Sequence, residues 1–399
     1  MRVTFATLVF RALLALAACT EPPVAATKDA QVEAATADVA SAETAIAAPD
    51  TEASDVPAAD TAQAETAQVT SYDWESLPAA AGAPIARWGF VTADLGDGRA
   101  LLFGGTTFNS VGQGGVLADT WLVDVRGATP EFNALAPAKS PPPRYCGCAA
   151  WDPERKVMLA VGGRDAQVKP SATWSYDLDG NTWTEVPVPV SPPGAVGCAM
   201  AWSPDRRALF LFGGGGAGGF DDRTWRFDAK ALAWVELAAK GPSPRYDSVL
   251  RHVAAGQPMV LFAGSKGASG KGNFYNDVWR FDPMAQTWTQ TQVSGTTPPG
   301  RRTPWLLVEP NGAGFIMGFG VMGILPDQAL DDLWRFDFAK AAWQVIDEAG
   351  DEMGPEPRGY VQALPGTKGS VGLLVGGHDL KDTLSGVWRL TPPGGSVWP

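Results

Sequence analysis

The stretch Asn276–Thr289, NDVWRFDPMAQTWT, decides the fold. It recurs as DDLWRFDFAKAAWQ from Asp331 and, more loosely, as DDRTWRFDAKALAWVE from Asp221. Each copy holds a Trp, then an aromatic and an Asp two and three residues later, then a second Trp nine residues after the first. Ahead of each copy stands an apolar run closed by two small residues. Working outward, that signal comes six times, ending at Gly104-Gly105, Gly162-Gly163, Gly213-Gly214, Ala263-Gly264, Phe319-Gly320 and Gly376-Gly377, with spacings of 58, 51, 50, 56 and 57 residues. The Trp that follows each pair is Trp121, Trp174, Trp225, Trp279, Trp334 and Trp388. The second aromatic is Trp183, Trp234, Trp288 and Trp343, with Phe132 standing in for the first copy.

The runs VMLAV, ALFLF and MVLF are continuous, as expected of strands buried on both faces. A glycine pair after each run permits positive φ and close backbone approach. DPERK after Trp151, SPDRR after Trp202 and EPNGAG after Val308 carry hairpin-turn chemistry. Each unit therefore reads as four antiparallel strands: one starting near an Arg, the apolar run, the W-R-F-D strand, and the strand with the second Trp. A period near 50 with these marks resembles the kelch repeat of β-propellers. The resemblance implies an all-β, six-bladed kelch-type propeller over residues 72–399, related to the galactose-oxidase-like superfamily. Trp74 lies 30 residues before Gly104, the same offset as Trp183 to Gly213, so residues 73–77 are expected to complete blade six. Trp398, ten residues after Trp388, is the competing closing strand.

Gly and Pro are abundant (46 and 33 residues), and 16 Trp mark a turn-rich β protein. The net charge of −12 is concentrated upstream: residues 20–72 hold ten acidic side chains against one Lys. The chain beyond residue 72 is nearly balanced, without a basic stripe, which excludes a nucleic-acid surface. Residues 1–18 carry Arg2 and Arg11, a short apolar run and small residues before Cys19, and so resemble a bacterial lipoprotein signal. That resemblance implies cleavage before Cys19, lipidation of its thiol and, with Thr20 next, an outer-membrane address in the cell envelope. Residues 19–71, rich in Ala, Thr and Glu and lacking aromatics, are expected to be a disordered acidic tether.

The most regular candidate site is an arginine set. Arg144, Arg245, Arg301 and Arg358 each lie 18 residues before the first member of their small-residue pair, and Arg87 lies 17 before Gly104. Ala195 takes the position in blade three. Five guanidinium groups at one channel mouth could hold an anion or carboxylate. Alternatively each pairs with the Asp ahead of a Trp-bearing strand (Asp119, Asp277 or Asp332) and fixes blade spacing. The loops after the pairs, with Phe108, Phe274, Tyr275, Met322 and Ile324, are either a partner surface or lids over the blade mouth. By strand alternation Cys146 and Cys148 share one face of blade two's inner strand and Cys198 lies on the opposite face of blade three's, so Cys198 could bridge to either.

Catalytic and metal constellations are thin. His252 and His378 are the only histidines, no zinc spacing occurs, and GGGGAGG at 213–219 lacks the Lys and strand–helix context of a phosphate loop. The expectation is a non-enzymatic, monomeric module without cofactor that binds a protein or glycan partner through its arginine-and-loop face. The alternative is a carbohydrate-active kelch enzyme of the galactose-oxidase or sialic-acid-mutarotase kind.

Overall fold

The computed structural model describes residues 72–78, 82–164, 172–193, 195–216, 218–267, 273–323, 327–348, 354–366 and 370–393. The signal-like residues 1–18, the tether 19–71 with Cys19, and also Ile324 and Trp398, lie outside them. The described residues form six four-stranded antiparallel sheets and two small two-stranded ones. Blade one comprises Val91–Asp94, Arg99–Phe103, Thr120–Asp124 and Glu131–Leu135; blade two Tyr145–Asp152, Val157–Arg164, Thr173–Asp177 and Thr182–Val186. Blade three is Ala199–Ser203, Ala208–Gly216, Gly219–Asp228 and Ala233–Leu237; blade four Val249–Arg251, Met259–Phe262, Val278–Asp282 and Thr287–Gln290. Blade five is Trp305–Val308, Gly314–Gly318, Leu333–Asp337 and Ala342–Asp347. Blade six takes Gln362–Pro365, Gly372–Val375 and Val387–Thr391 from the far end of the chain and its outer strand, Asp73–Leu77, from the near end. Each inner strand borders the next, and blade six borders blade one, so the sheets close into a ring.

Trp74 pairs with Leu390 in the sixth sheet, as its offset predicts. A ring fastened by strands from both ends of the sequence resists fraying at either one. Strand alternation then builds the core: in blade one, Phe90 packs with Leu364, Leu373 and Val375 of blade six, whereas Val91 and Ala93 pack with Met158, Ala160 and Tyr176 of blade two. The apolar second strands, such as Leu209–Phe212, are buried on both faces between such neighbours.

The Asp of W-R-F-D has a local task. Asp228, Asp282 and Asp337 each accept the backbone N–H groups of the second and third residues beyond, closing the turn into the outer strand. The second Trp reaches the preceding blade. The indoles of Trp183, Trp234 and Trp288 donate to the hydroxyls of Thr120, Thr173 and Thr224 at 2.9–3.0 Å. Where Val278 takes the threonine's place, the Trp343 indole nitrogen is left buried without a partner. Cys148 and Cys198 form a disulfide between blades two and three, with Cα atoms 5.5 Å apart.

Candidate functional site

The two faces of the ring are built differently. At one, the glycine end, the small-residue pairs, the arginines and the long loops meet; at the other, the turn end, tight hairpins join the strands. The second member of every pair donates its N–H to the backbone carbonyl at the arginine position of the following blade: Gly105 to Arg144, Gly163 to Ala195, Gly214 to Arg245, Gly264 to Arg301, Gly320 to Arg358 and Gly377 to Arg87, at 2.8–3.1 Å. The first member takes positive φ, including Ala263 (66°) and Phe319 (59°). At Gly213 a Cβ would stand 2.6 Å from the Arg245 carbonyl oxygen, which is why glycine dominates there.

All five arginines are buried and face into the blades; none borders the central channel. Each donates Nε to the carbonyl two residues earlier and Nη1 to the carbonyl of the first pair residue. In blades one, four and five the guanidinium also grips a carboxylate in bidentate fashion. Arg87 holds Asp119 (2.6 and 2.8 Å), Arg245 holds Asp277 (2.6 and 2.9 Å) and Arg301 holds Asp332 (2.6 and 2.6 Å). The same carboxylates accept the indole N–H of Trp121, Trp279 and Trp334 at 2.7 Å. Burial alone pushes the Asp119 carboxyl up, but the bonds from Arg87 and Trp121 outweigh it and hold its pKa below the ordinary value.

The signature of this latch is Asp-x-Trp, and the other blades lack it. Ala172, Arg223 and Gly386 replace the Asp, and the indole nitrogens of Trp174 and Trp225 are buried without a hydrogen bond. Arg144 instead lies 6.0 Å from the Trp174 ring centroid. Arg358 pairs with the exposed Glu356, and burial lowers its pKa against that partner's pull. The expected ring of guanidinium groups at the channel mouth is therefore a set of fasteners inside the blades.

What rings the mouth are the residues just after the arginines. Two beyond each arginine position, Gly89, Cys146, Gly197, Asp247, Thr303 and Tyr360 all have φ between 52° and 64°. Cys146, Gly197, Asp247 and Thr303 each donate N–H to the carbonyl of the preceding blade's member, at 2.6–2.9 Å, and Tyr360 donates to the Thr303 hydroxyl at 3.0 Å. This belt narrows the channel. Above it, one beyond the arginine position, Trp88, Tyr145 and Tyr246 join Tyr360 and Arg302 in a buried layer. Trp88 lies 5.4 Å from Tyr145 and 4.9 Å from Tyr360 between ring centroids. Arg302 donates to the Tyr246 hydroxyl (2.7 Å) and to Asp327 (3.0 Å). Burial works against its charge, but Tyr360, Tyr246, Asp247 and Asp327 outweigh burial and raise its pKa.

The long loops fold over this layer. The carbonyl of Phe108, half-buried, accepts the Trp88 indole and the Thr383 hydroxyl. Phe220 stacks on Tyr246 at 5.1 Å. Phe274, in the small hairpin Ser265–Lys266/Asn273–Phe274, lies 5.9 Å from the Arg302 guanidinium. Tyr275 packs under Arg245, 3.9 Å away. Met322 sits half-buried opposite Gln328 in the hairpin Val321–Gly323/Asp327–Ala329. The glycine end thus carries lids, with Val111, Lys266, Asn273 and Gln328 exposed at their outer surface. Sequence reasoning missed the belt and the layer above it; their signal lies in Pro-Arg-Tyr at 143–145 and 244–246 and in Ala-Arg-Trp at 86–88.

From the belt to the turn end runs a cavity of about 990 Å³, lined by the six inner strands. Five of its walls are chiefly small or apolar; blade four's presents Asp247, Ser248, Arg251 and His252. Burial pushes the Asp247 carboxyl up to about 7 against the pull of Arg302, and pushes Arg251 down to about 10 against that of Asp94. Asp94, reached by channel water but crowded by the walls, is raised. The two histidines stand at opposite ends of the channel: His252 on the turn side, and His378 above the belt, 5.4 Å from Trp88. Among the described residues no group of three or more His, Cys, Asp and Glu side chains could hold a metal ion.

Comparison with known proteins agrees with this geometry. The KLHDC2/KLHL20/DRC7 Kelch-repeats domain matches residues 188–377. Adagio-like protein 3 of Oryza sativa subsp. japonica is 26% identical over 241 residues, which is 57% of this chain and 36% of that protein. Adagio protein 3 of Arabidopsis thaliana is 27% identical over 210 residues, 48% of this chain and 32% of that protein. Kelch domain-containing protein 3 of Homo sapiens is 24% identical over 213 residues, 51% of this chain and 53% of that protein. The matches thus cover about a third to a half of these relatives' length. With the six closed sheets and their shared glycine-pair joints, these matches support the kelch β-propeller family for this chain.

Proposed function

We propose that this propeller is a non-enzymatic binding module that meets a protein partner with the loops of its glycine end. Kelch propellers commonly serve as interaction scaffolds, and the observation that carries the reading is the asymmetry of the faces. The glycine end bears the two extra hairpins and the loop 106–118, whereas the described connections of the turn end are tight. Irregular segments held by a rigid frame are where recognition residues collect. The arginines enter as support for that frame, and the contact falls to Val111, Lys266, Asn273 and Gln328. A glycan partner is the second form of the same reading; no observation favours the carbohydrate-active enzyme.

We also propose export and anchoring through Cys19. The Cys148–Cys198 disulfide supports an oxidising compartment. The chain enters the ring at Asp73, opposite Thr391 and so at the turn end, the face away from the loops. The test is recovery of a specific partner by the membrane-fractionated protein and by two charge-altered forms. Lys266→Glu with Val111→Glu should lose the partner, while Arg206→Glu on the turn face should keep it. Loss confined to Arg206→Glu would overturn the choice of face, and a Cys19→Ser chain that still fractionates with membranes would remove the anchor.

A further inference from the structure

The turn-end cavity is a separate candidate, on the face away from the loops. Its distinguishing feature is the concentration of polar groups on one wall, to which blade one adds Asp94 and blade five Glu309. Counted from the belt, the fifth position in blades two, three, five and six holds Trp151, Trp202, Val308 and Pro365, and the fourth holds Ala150, Ala201, Leu307 and Leu364. Blade four places His252 and Arg251 there, and Asp247 in the belt itself. Asp247 is 6% exposed, yet its Oδ2 has no hydrogen-bond partner; the Ser248 hydroxyl and His252 Nδ1 are likewise buried and unpartnered. An unpaired carboxylate at that depth is costly unless a cation or donor meets it.

The room for the carboxylate is provided from the neighbouring blade. Asp247 Oδ1 lies where a side chain on Gly197 would begin, 2.3 Å from the Cβ position there. Arg302 is engaged by Asp327 at 3.0 Å. Among the described charged residues at this level, Arg302, Asp327 and Asp247 sum to one negative charge when all are ionised. One added ammonium brings the floor to neutrality. At the outer part of the wall the demand is reversed. Arg251 makes a hydrogen bond to the Leu250 carbonyl (3.1 Å), and Asp94, its electrostatic counterpart, comes from blade one across the ring. Burial disfavours the charge of Arg251, so an anion brought to it would be stabilised. Asp247, in the left-handed belt, and Arg251, at the end of the strand Val249–Arg251, are four residues apart in the chain, a separation of at most roughly 13 Å.

We propose that the cavity binds a short peptide-like zwitterion from the turn end, with its ammonium on Asp247 and its carboxylate on Arg251. A span of at most roughly 13 Å admits up to about four extended residues, and the cavity's volume of about 990 Å³ accommodates one such chain with small side chains. Nothing in this assignment uses the loop face, so the two sites stand or fall separately.

The test is calorimetric titration of the full-length protein with tetra-alanine. Saturable one-to-one binding is expected, weakened about tenfold or more by N-acetylation of the peptide and similarly by Asp247→Asn. C-terminal amidation and Arg251→Gln should produce a matching loss at the other end. Because Asp247 Oδ2 has no partner to lose, Asp247→Asn should melt no lower than wild type, which separates lost binding from lost folding. Absence of saturable binding at millimolar peptide, or equal affinity for the acetylated peptide or of the Asp247→Asn protein, would overturn the proposal.

Discussion

The glycine end and the turn end of the channel are made from the same six inner strands, yet they handle polar groups in opposite ways. At the glycine end the arginines are taken out of water, and three of them are matched to aspartates. Arg301, fully buried, meets both oxygens of Asp332, whose remaining capacity goes to Trp334. At the turn end Asp94, Arg251 and His252 border an open cavity with their ionisations displaced, and Asp247 lies at its floor without a partner for one oxygen. Matched buried charges fix structure; unmatched ones beside open space are available to a ligand. The difference teaches that the most regular feature of the sequence, the spaced arginines, belongs to the scaffold, while the irregular feature, one polar wall, is the better pointer to recognition.

The contrast can be broken first at the latches. Arg301→Ala leaves the Asp332 carboxylate buried and uncompensated, so a loss of about 3–5 kcal/mol is expected in denaturant unfolding. Arg358→Ala removes a guanidinium whose carboxylate partner, Glu356, has a side chain 69% exposed, and should cost clearly less than Arg301→Ala. Equal losses would mean that the Asp-x-Trp carboxylates contribute nothing beyond the two carbonyl contacts shared by all five arginines.

A smaller effect sharpens the other side. Asp247 has its pKa raised from an ordinary 3.8 to about 7, so the folded state holds a proton that the unfolded state releases. The associated stability is fully present below about pH 4 and is lost as pH rises through about 7, with a slope of at most about 1.4 kcal/mol per pH unit. His378, lowered to about 4 by burial, acts with the opposite sign, losing stability as pH falls from 6.5 toward 4. Asp247→Asn isolates the first term: its stability relative to wild type should grow between pH 4.5 and 7.5. A constant difference across that range would show that Asp247 titrates as it does in water.

Much of the fold is legible in the sequence because it is set by repetition. Six apolar runs, each closed by residues that tolerate positive φ, specify six sheets; the Trp74 offset specifies the closing strand. Asp-x-Trp at 119–121, 277–279 and 332–334 even marks the three arginines that grip an aspartate. The direction of the guanidinium groups is not legible, since spacing fixes a strand position and leaves the rotamer to whichever partner is nearest. Nor is the choice between Cys146 and Cys148. Alternation puts both on one face, but Cys146 (φ 54°) is drawn into the belt, and Cys148 remains in regular strand facing Cys198 of blade three. The belt itself leaves no common residue type in the sequence, because Gly, Cys, Asp, Thr and Tyr share its conformation, held by neighbouring blades in place of side-chain preference.

A double-mutant cycle on Arg301 and Asp332, using Arg301→Ala, Asp332→Asn and the pair, measures most directly whether the arginine set belongs to the scaffold. Buried bidentate contact predicts a coupling of about 2–3 kcal/mol in unfolding free energy. A coupling under about 0.5 kcal/mol, the scale of a solvent-exposed pair, would contradict it and return the guanidinium groups to the channel mouth.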